Sequence, residues 1–144
     1  MPAGPSSLAI VPTMKAQGRG AIVFVNSMSI RIVEPFMGGY AASKGALLTA
    51  SQTLAKELGP SGIRVNSIVP GYIWSAKMEA YFRHLAQERG VTYESVHTDV
   101  TSRTALRHIP DSAEVADAVV LLASDLARAI TGQALDVNGG HFFH

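Results

Sequence analysis

The clearest hydrophobic signal is Gly20-Ala-Ile-Val-Phe-Val-Asn26, an unbroken apolar run rich in β-branched side chains. It predicts a strand buried on both faces, as in a parallel sheet. Ahead of it, Leu8–Pro12 is a short apolar stretch, and Met14–Gln17 reads as a helix tail closed by Gly18. Residues 27–39 carry Ser27, Ser29, Pro35, Gly38 and Gly39 and predict a loop. From Tyr40 to Leu58 the period becomes helical. Leu47, Leu54 and Leu58 fall on one stripe, and Gly59-Pro60 ends the helix. Residues 63–69, Ile-Arg-Val-Asn-Ser-Ile-Val, predict a second strand, closed by a turn at Pro70-Gly71. A helix connects these strands, so they are expected to be parallel. Residues 76–89 read as a helix stopped by Gly90, and residues 91–108 as a polar, mobile segment. Asp111 opens a further helix with Glu114 as capping-box partner and Val115, Val119 and Leu122 as its apolar face. Gln133–Val137 gives a third short strand, closed by Asn138-Gly139-Gly140.

The order β-α-β-α-α-β is half of a doubly wound α/β sheet. A dinucleotide-binding sheet of this kind carries a Gly-rich turn after its first strand. Gly18-Arg19-Gly20 and Gly38-Gly39 do not fit G-x-G-x-x-G. No internal repeat or interdomain linker interrupts the 144 residues, so one domain is expected.

Composition narrows the class. Apolar residues make up 47% and charged residues 16%, which excludes a disordered chain. Twelve basic against eleven acidic side chains leave a net charge of +1, so no nucleic-acid partner is expected. There is no cysteine, so thiolate metal sites and cysteine nucleophiles are excluded. No apolar run approaches the roughly 20 residues of a membrane span. The first dozen residues lack the positive charge of a secretory signal. A cytoplasmic protein is expected.

Tyr40 and Lys44 stand four apart at the start of the long helix and share a face. A free tyrosine has a pKa of about 10, and an ammonium beside a phenol favours the phenolate. Such a pair can exchange protons near neutrality. Alone the spacing is weak evidence, because Tyr-x-x-x-Lys arises often by chance. Ser27 adds to it. It lies at the carboxyl end of the first strand, where α/β sheets place ligands, and thirteen residues before Tyr40. A loop can bring both hydroxyls together, although a serine in that position is commonly a turn residue. Pro70-Gly71-Tyr72-Ile73-Trp74-Ser75 follows the second strand. Its backbone can pin a planar amide and Ser75 can add a hydroxyl; the plain alternative is a helix N-cap at Ser75.

Taken together, Gly20–Ser27, Tyr40-Ala-Ala-Ser-Lys44, Ile63–Gly71 and Leu135-Asp-Val-Asn-Gly-Gly140 resemble the short-chain dehydrogenase/reductases, in order and at family-like spacing. The nearest likeness is to the classical, 3-oxoacyl-carrier-protein reductase type. The resemblance implies a Rossmann-like fold and an NAD- or NADP-dependent interconversion of alcohol and ketone. It implies that Ser27 orients the substrate oxygen, Tyr40 is the general acid/base, and Lys44 supports Tyr40 and binds the nicotinamide ribose. Pro70, Gly71, Ile73 and Ser75 would flank the nicotinamide, with Ser75 where the family usually has threonine. The family's Gly-rich turn, the residue that selects NAD or NADP, and its catalytic asparagine have no counterpart here. The chain is therefore expected to be a partial Rossmann-like domain over 1–144, the C-terminal half, binding nicotinamide poorly alone. Its first strand would lack a neighbour. Self-association is expected, since the helix carrying Tyr40 packs between subunits in the family. The alternative is a non-catalytic Rossmann-like fragment that serves as an assembly or binding module.

Other candidates are weaker. Tyr72, Trp74, Met78, Tyr81 and Phe82 hint at an apolar substrate but equally suit a core. His141 and His144 form H-x-x-H without a nearby third ligand, so no metal is expected. Asp99, Asp111 and Asp125 read as loop and cap residues, and Arg103, Arg107 and Arg128 as solvated. Ser27 lacks a G-x-S-x-G elbow, which argues against a hydrolase.

Overall fold

The computed structural model describes residues 9–143. Leu8 and His144, named above, lie outside the described residues. Helix α1 (Val11–Gln17) ends at Gly18, whose φ of 66° lets its N–H reach the carbonyls of Met14 and Lys15. Strand β1 (Gly20–Val25) follows, then a 3₁₀ turn (Met28–Ile30) and the long helix α2 (Gly38–Leu58). Strand β2 (Ile63–Pro70) leads to α3 (Ala76–Arg89), α4 (Tyr93–Ser102), α5 (Ser112–Ala123) and β3 (Ala134–Val137).

The strands form a parallel sheet in the order β1-β2-β3. Gly20 pairs with Ile63 and Val25 with Ile68, while Ser67 pairs with Ala134 and Pro70 with Val137. β2 is central and nearly all buried. On one face Ile63 and Val65 meet Phe24 together with Ala55 and Leu58 of α2. On the other, Ile68 meets Val115 and Leu122 of α5 and Ala127. That second face also carries polar side chains, and each is satisfied. Asn66 donates to the Ile130 carbonyl at 2.9 Å and accepts from the Gln133 N–H at 3.0 Å. Those two bonds lead the chain into β3 beside β2. Arg64 donates to the carbonyls of Leu122 (2.7 Å), Ala123 (3.3 Å) and Ser124 (3.0 Å), the last carbonyls around the end of α5.

Three expectations are corrected. β1 is not buried on both faces: Phe24 is its only buried residue and Val25 is 53% exposed, because β1 is an edge strand of the described sheet. Residues 91–108 are not a structureless segment. Thr92 caps α4 by accepting the Ser95 N–H at 3.1 Å. Val96 and Val100 then pack on Phe82 and Ala86, and Asp99 pairs with Arg103 on the exposed side. The polar residues that obscure the helix in the sequence are its solvent face. Lastly, α2 begins at Gly38 rather than Tyr40; it ends at Leu58 with Gly59 as its C-cap, as expected, and a left-handed turn follows at Gly62 (φ 73°). A Cβ at Gly62 would collide with the Gly18 carbonyl oxygen.

The capping box expected at Asp111 is present. Asp111 accepts the N–H groups of Ala113 (2.8 Å) and Glu114 (3.0 Å), and Glu114 accepts that of Asp111 (2.8 Å). The Asp111 N–H, then His108 Nε2 at 2.6 Å, hold the Glu114 carboxyl below the usual carboxylate range. A depressed folded pKa gives stability that is present above the unfolded pKa and lost as pH falls through the folded one. The difference in thermal midpoint between wild type and Glu114→Gln is therefore expected at neutral pH and to vanish in acid. Ile68, a β2 residue fully buried against α5, tests the core. Ile68→Ala is expected to lower stability by about 2–5 kcal/mol in urea unfolding.

Candidate active site

The parallel register brings Val25, Pro70 and Val137 to one rim, and the candidate groups stand there. Beyond β1 the Asn26 N–H donates to the Ile68 carbonyl at 2.8 Å, extending the ladder by one bond. The buried Asn26 side chain accepts the Ser27 N–H at 3.0 Å. Ser27 (φ −157°, ψ 149°) caps the 3₁₀ turn, and its Oγ accepts the Ser29 N–H at 3.3 Å. That bond occupies a lone pair and leaves the hydroxyl proton free to donate outward.

Tyr40 is the third residue of α2 and is 44% exposed. Lys44, one turn later, places its ammonium 5.8 Å from the centre of the Tyr40 ring. The same Nζ donates to the Val25 carbonyl at 3.1 Å. The carbonyl of an edge strand, bonded by a lysine from the neighbouring helix, ties the Tyr40–Lys44 face to the tip that carries Ser27. Ser43 donates to the Tyr40 carbonyl at 2.7 Å and stiffens this first turn.

Pro70-Gly71 stands at the tip of β2, where the Gly71 N–H donates to the Val137 carbonyl at 3.1 Å. A Cβ at Gly71 would lie 2.8 Å from Asn138 Cβ and 3.2 Å from Asn138 Cα. Only glycine lets the two strand tips approach so closely. Ile73 turns inward and packs on the Ile68–Val115–Leu122 cluster. Ser75 is exposed and caps α3, accepting the Met78 N–H at 3.2 Å. So Ser27, Tyr40, Lys44, Pro70 and Gly71 share the rim, whereas Ile73 offers its side chain to the core and Ser75 has a capping role. Trp74 and Met78 also pack inward, against Phe82, Ala86, Val96 and Ile109, while Tyr81 is 53% exposed. Tyr72 is half-buried. Burial first, then the charge of Glu34 and the proximity of Tyr81, raise its phenol above the usual value, with Arg103 opposing.

Sequence reasoning missed two residues of this rim. Asn26 fixes the Ser27 backbone. Asn138 organises the chain after β3, accepting the N–H groups of Gly140 (2.8 Å) and His141 (3.0 Å). An asparagine closing a strand before two glycines is a turn signal, and the sequence carries that signal.

A family model described as enoyl-(acyl carrier protein) reductase matches residues 6–141. The chain belongs to the short-chain dehydrogenase/reductase family. Its similarity to a D-beta-hydroxybutyrate dehydrogenase of Rhizobium meliloti is 33% identity over 131 residues, 90% of this chain and 51% of that protein. A (3R)-3-hydroxyacyl-CoA dehydrogenase of Mus musculus is 35% identical over 125 residues, 87% of this chain and 44% of that protein. The crystal structure of sorbitol-6-phosphate 2-dehydrogenase from Erwinia amylovora superposes with a TM-score of 0.84 at 28% identity, covering 96% of this chain and 55% of the other. This short-chain dehydrogenase/reductase chain thus spans about half the length of the curated relatives it matches.

The family's dehydrogenases imply a nicotinamide cofactor. The donor groups at the rim fit its nicotinamide end. Lys44 keeps two ammonium protons beyond its bond to Val25, and at the cap of α3 beyond the rim the Ser75 hydroxyl proton is free. The residues present do not include a Gly-rich turn for the pyrophosphate. Among the described residues no group of three or more His, Asp or Glu side chains is placed to hold a metal ion, and no helix is long and apolar enough to cross a membrane.

Gly71→Ala tests the closeness of the two tips. Asn138 must shift to admit the methyl group, so the variant is expected to melt at lower temperature. Nicotinamide binding, read by fluorescence titration, is expected to weaken with it.

Proposed function

We propose that this chain forms the catalytic half of an NAD- or NADP-dependent oxidoreductase that interconverts a secondary alcohol and a ketone. The bond from Lys44 to the Val25 carbonyl carries the reading, because it ties the Tyr40–Lys44 face to the tip holding Ser27. The nicotinamide, when bound, supplies or accepts the hydride. In reduction, Ser27 donates its free hydroxyl proton to the carbonyl oxygen and fixes its position. Tyr40 delivers the proton that the oxygen gains as the carbonyl becomes an alcohol, and receives it in the reverse direction. Lys44 supplies positive charge beside the phenol and offers its remaining protons to the nicotinamide ribose. Pro70, Gly71, the Ile73 backbone and the Ser75 hydroxyl would hold the nicotinamide.

The relatives named for 3-hydroxy substrates support a small alcohol or ketone as substrate. The exposed Val33 and Phe36, on the loop between Ser27 and Tyr40, suit one with apolar parts. The same reading takes residues 1–144 as one partial Rossmann-like domain, acting in the cytoplasm and self-associating.

Tyr40→Phe, assayed in the protein with nicotinamide bound, removes one hydroxyl from a half-exposed side chain. Turnover is expected to fall by about 10²–10⁴-fold with the circular dichroism and thermal midpoint unchanged. Near-normal turnover would remove Tyr40 from the proton path.

A further inference from the structure

Among the described residues, three buried side-chain polar atoms have no hydrogen-bond partner: Asn26 Nδ2, Ser29 Oγ and His141 Nδ1. All three belong to segments that follow the tips of β1 and β3. Buried polar atoms are normally paired, so each exception asks for a cause. The first two flank Ser27. The third belongs to a ring that the reaction above does not use.

His141 is held from two sides. Its ring stacks on Tyr72, with centroids 5.6 Å apart and planes 26° from parallel. Its backbone is wound around Asn138, whose Nδ2 also donates to the Phe142 carbonyl at 3.3 Å. The carbonyls of Gly139 and Gly140 accept from Leu106 (3.0 Å) and Ala105 (3.1 Å), which fastens this turn to the segment after α4. The stacked pair borders the catalytic turn. Tyr72 follows Gly71, and a Cβ at Gly71 would lie 3.8 Å from the Met28 sulfur, next to Ser27.

A neutral imidazole carries one proton on one of its two nitrogens. A proton on Nδ1 would be a buried donor with nothing to accept it, at a cost that the other tautomer avoids. Nε2 is not among the buried unpaired atoms and has no partner among the described residues, so it is the nitrogen open to solvent. The ring therefore presents Nε2–H outward as a donor.

We propose that His141 is a specificity-determining residue whose Nε2–H donates to a second oxygen of the substrate, remote from the carbon that changes oxidation state. This rests on the oxidoreductase reading above. The substrate class is thus a hydroxy or keto compound that carries a second oxygen.

The test uses nitrogen-15 NMR of the histidine rings in the full chain with nicotinamide present. The probes are ethyl 3-oxobutanoate and 2-pentanone, which lacks the second oxygen. Expected are an Nε2–H tautomer at His141 and an Nε2 shift with the ester that 2-pentanone does not give. His141→Phe keeps a flat ring on Tyr72 and removes the donor. It is expected to weaken ester binding about tenfold while leaving 2-pentanone unaffected. His141→Gln, which restores an N–H donor, is expected to recover part of the loss. An Nδ1–H tautomer, no ester-specific shift, or equal ester binding by His141→Phe would overturn the proposal. Tyr40→Phe is expected to leave the ester shift in place, so failure of the proton path and failure of this contact are read separately.

Discussion

Strand β2 is held in parallel register along both edges, and that register decides where the candidate groups at the strand tips stand. The pairs Val25–Ile68 and Pro70–Val137 put the three carboxyl ends at nearly one level. Parallel strands cannot be joined by a tight hairpin, so each connection must cross the sheet and return. Each strand therefore gives way to a loop emerging on the same side. Ser27, Gly71 and Asn138 are the products of that geometry, residues far apart in the chain delivered to one edge by pairing alone. Lys44 adds the one link that pairing cannot supply, from the long helix to the Val25 carbonyl.

The polar groups inside the sheet do a different job. Asn66 and Arg64 face α5, where apolar side chains would be the simpler filling. Their hydrogen bonds go to backbone carbonyls and N–H groups of the segments from Leu122 to Gln133. Apolar packing is indifferent to small slips along the strand, whereas an amide that must find one carbonyl and one N–H is not. Asn66 thus fixes where β3 begins, and with it where Asn138 and His141 come to stand.

Much of this is legible in the amino acids. The three strands, the long helix and the capped helix at Asp111 announce themselves through unbroken apolar runs, a leucine stripe and a capping box. Helix α4 does not, because its packing side offers little beyond Val96 and Val100, and its other residues read as loop. The apolar run of β1 does not itself show the strand's exposure, because burial belongs to a strand's surroundings; the expected lack of a neighbour does. At the candidate site, spacing shows Tyr40 and Lys44 on one helix face and Ser27 after a strand, while the roles given to them come from the resemblance. Ser75 and Ile73 are legible as positions, but which way each side chain serves depends on capping and core packing. His141 is lost in the terminal His pair, since nothing in H-x-x-H foretells a stack on a tyrosine 69 positions earlier.

Arg64 has a consequence for how such a fold can change. Its guanidinium fastens the last carbonyls of α5 near the start of β2, at the edge of the sheet away from Ser27 and Tyr40. The scaffold is thus clamped at its foot by one cation, independently of whatever surrounds the substrate. Loops above can be lengthened, shortened or exchanged without loosening that clamp. A family that serves many different alcohols benefits from this separation: chemistry diversifies at one end of the strands while the other end keeps them in place.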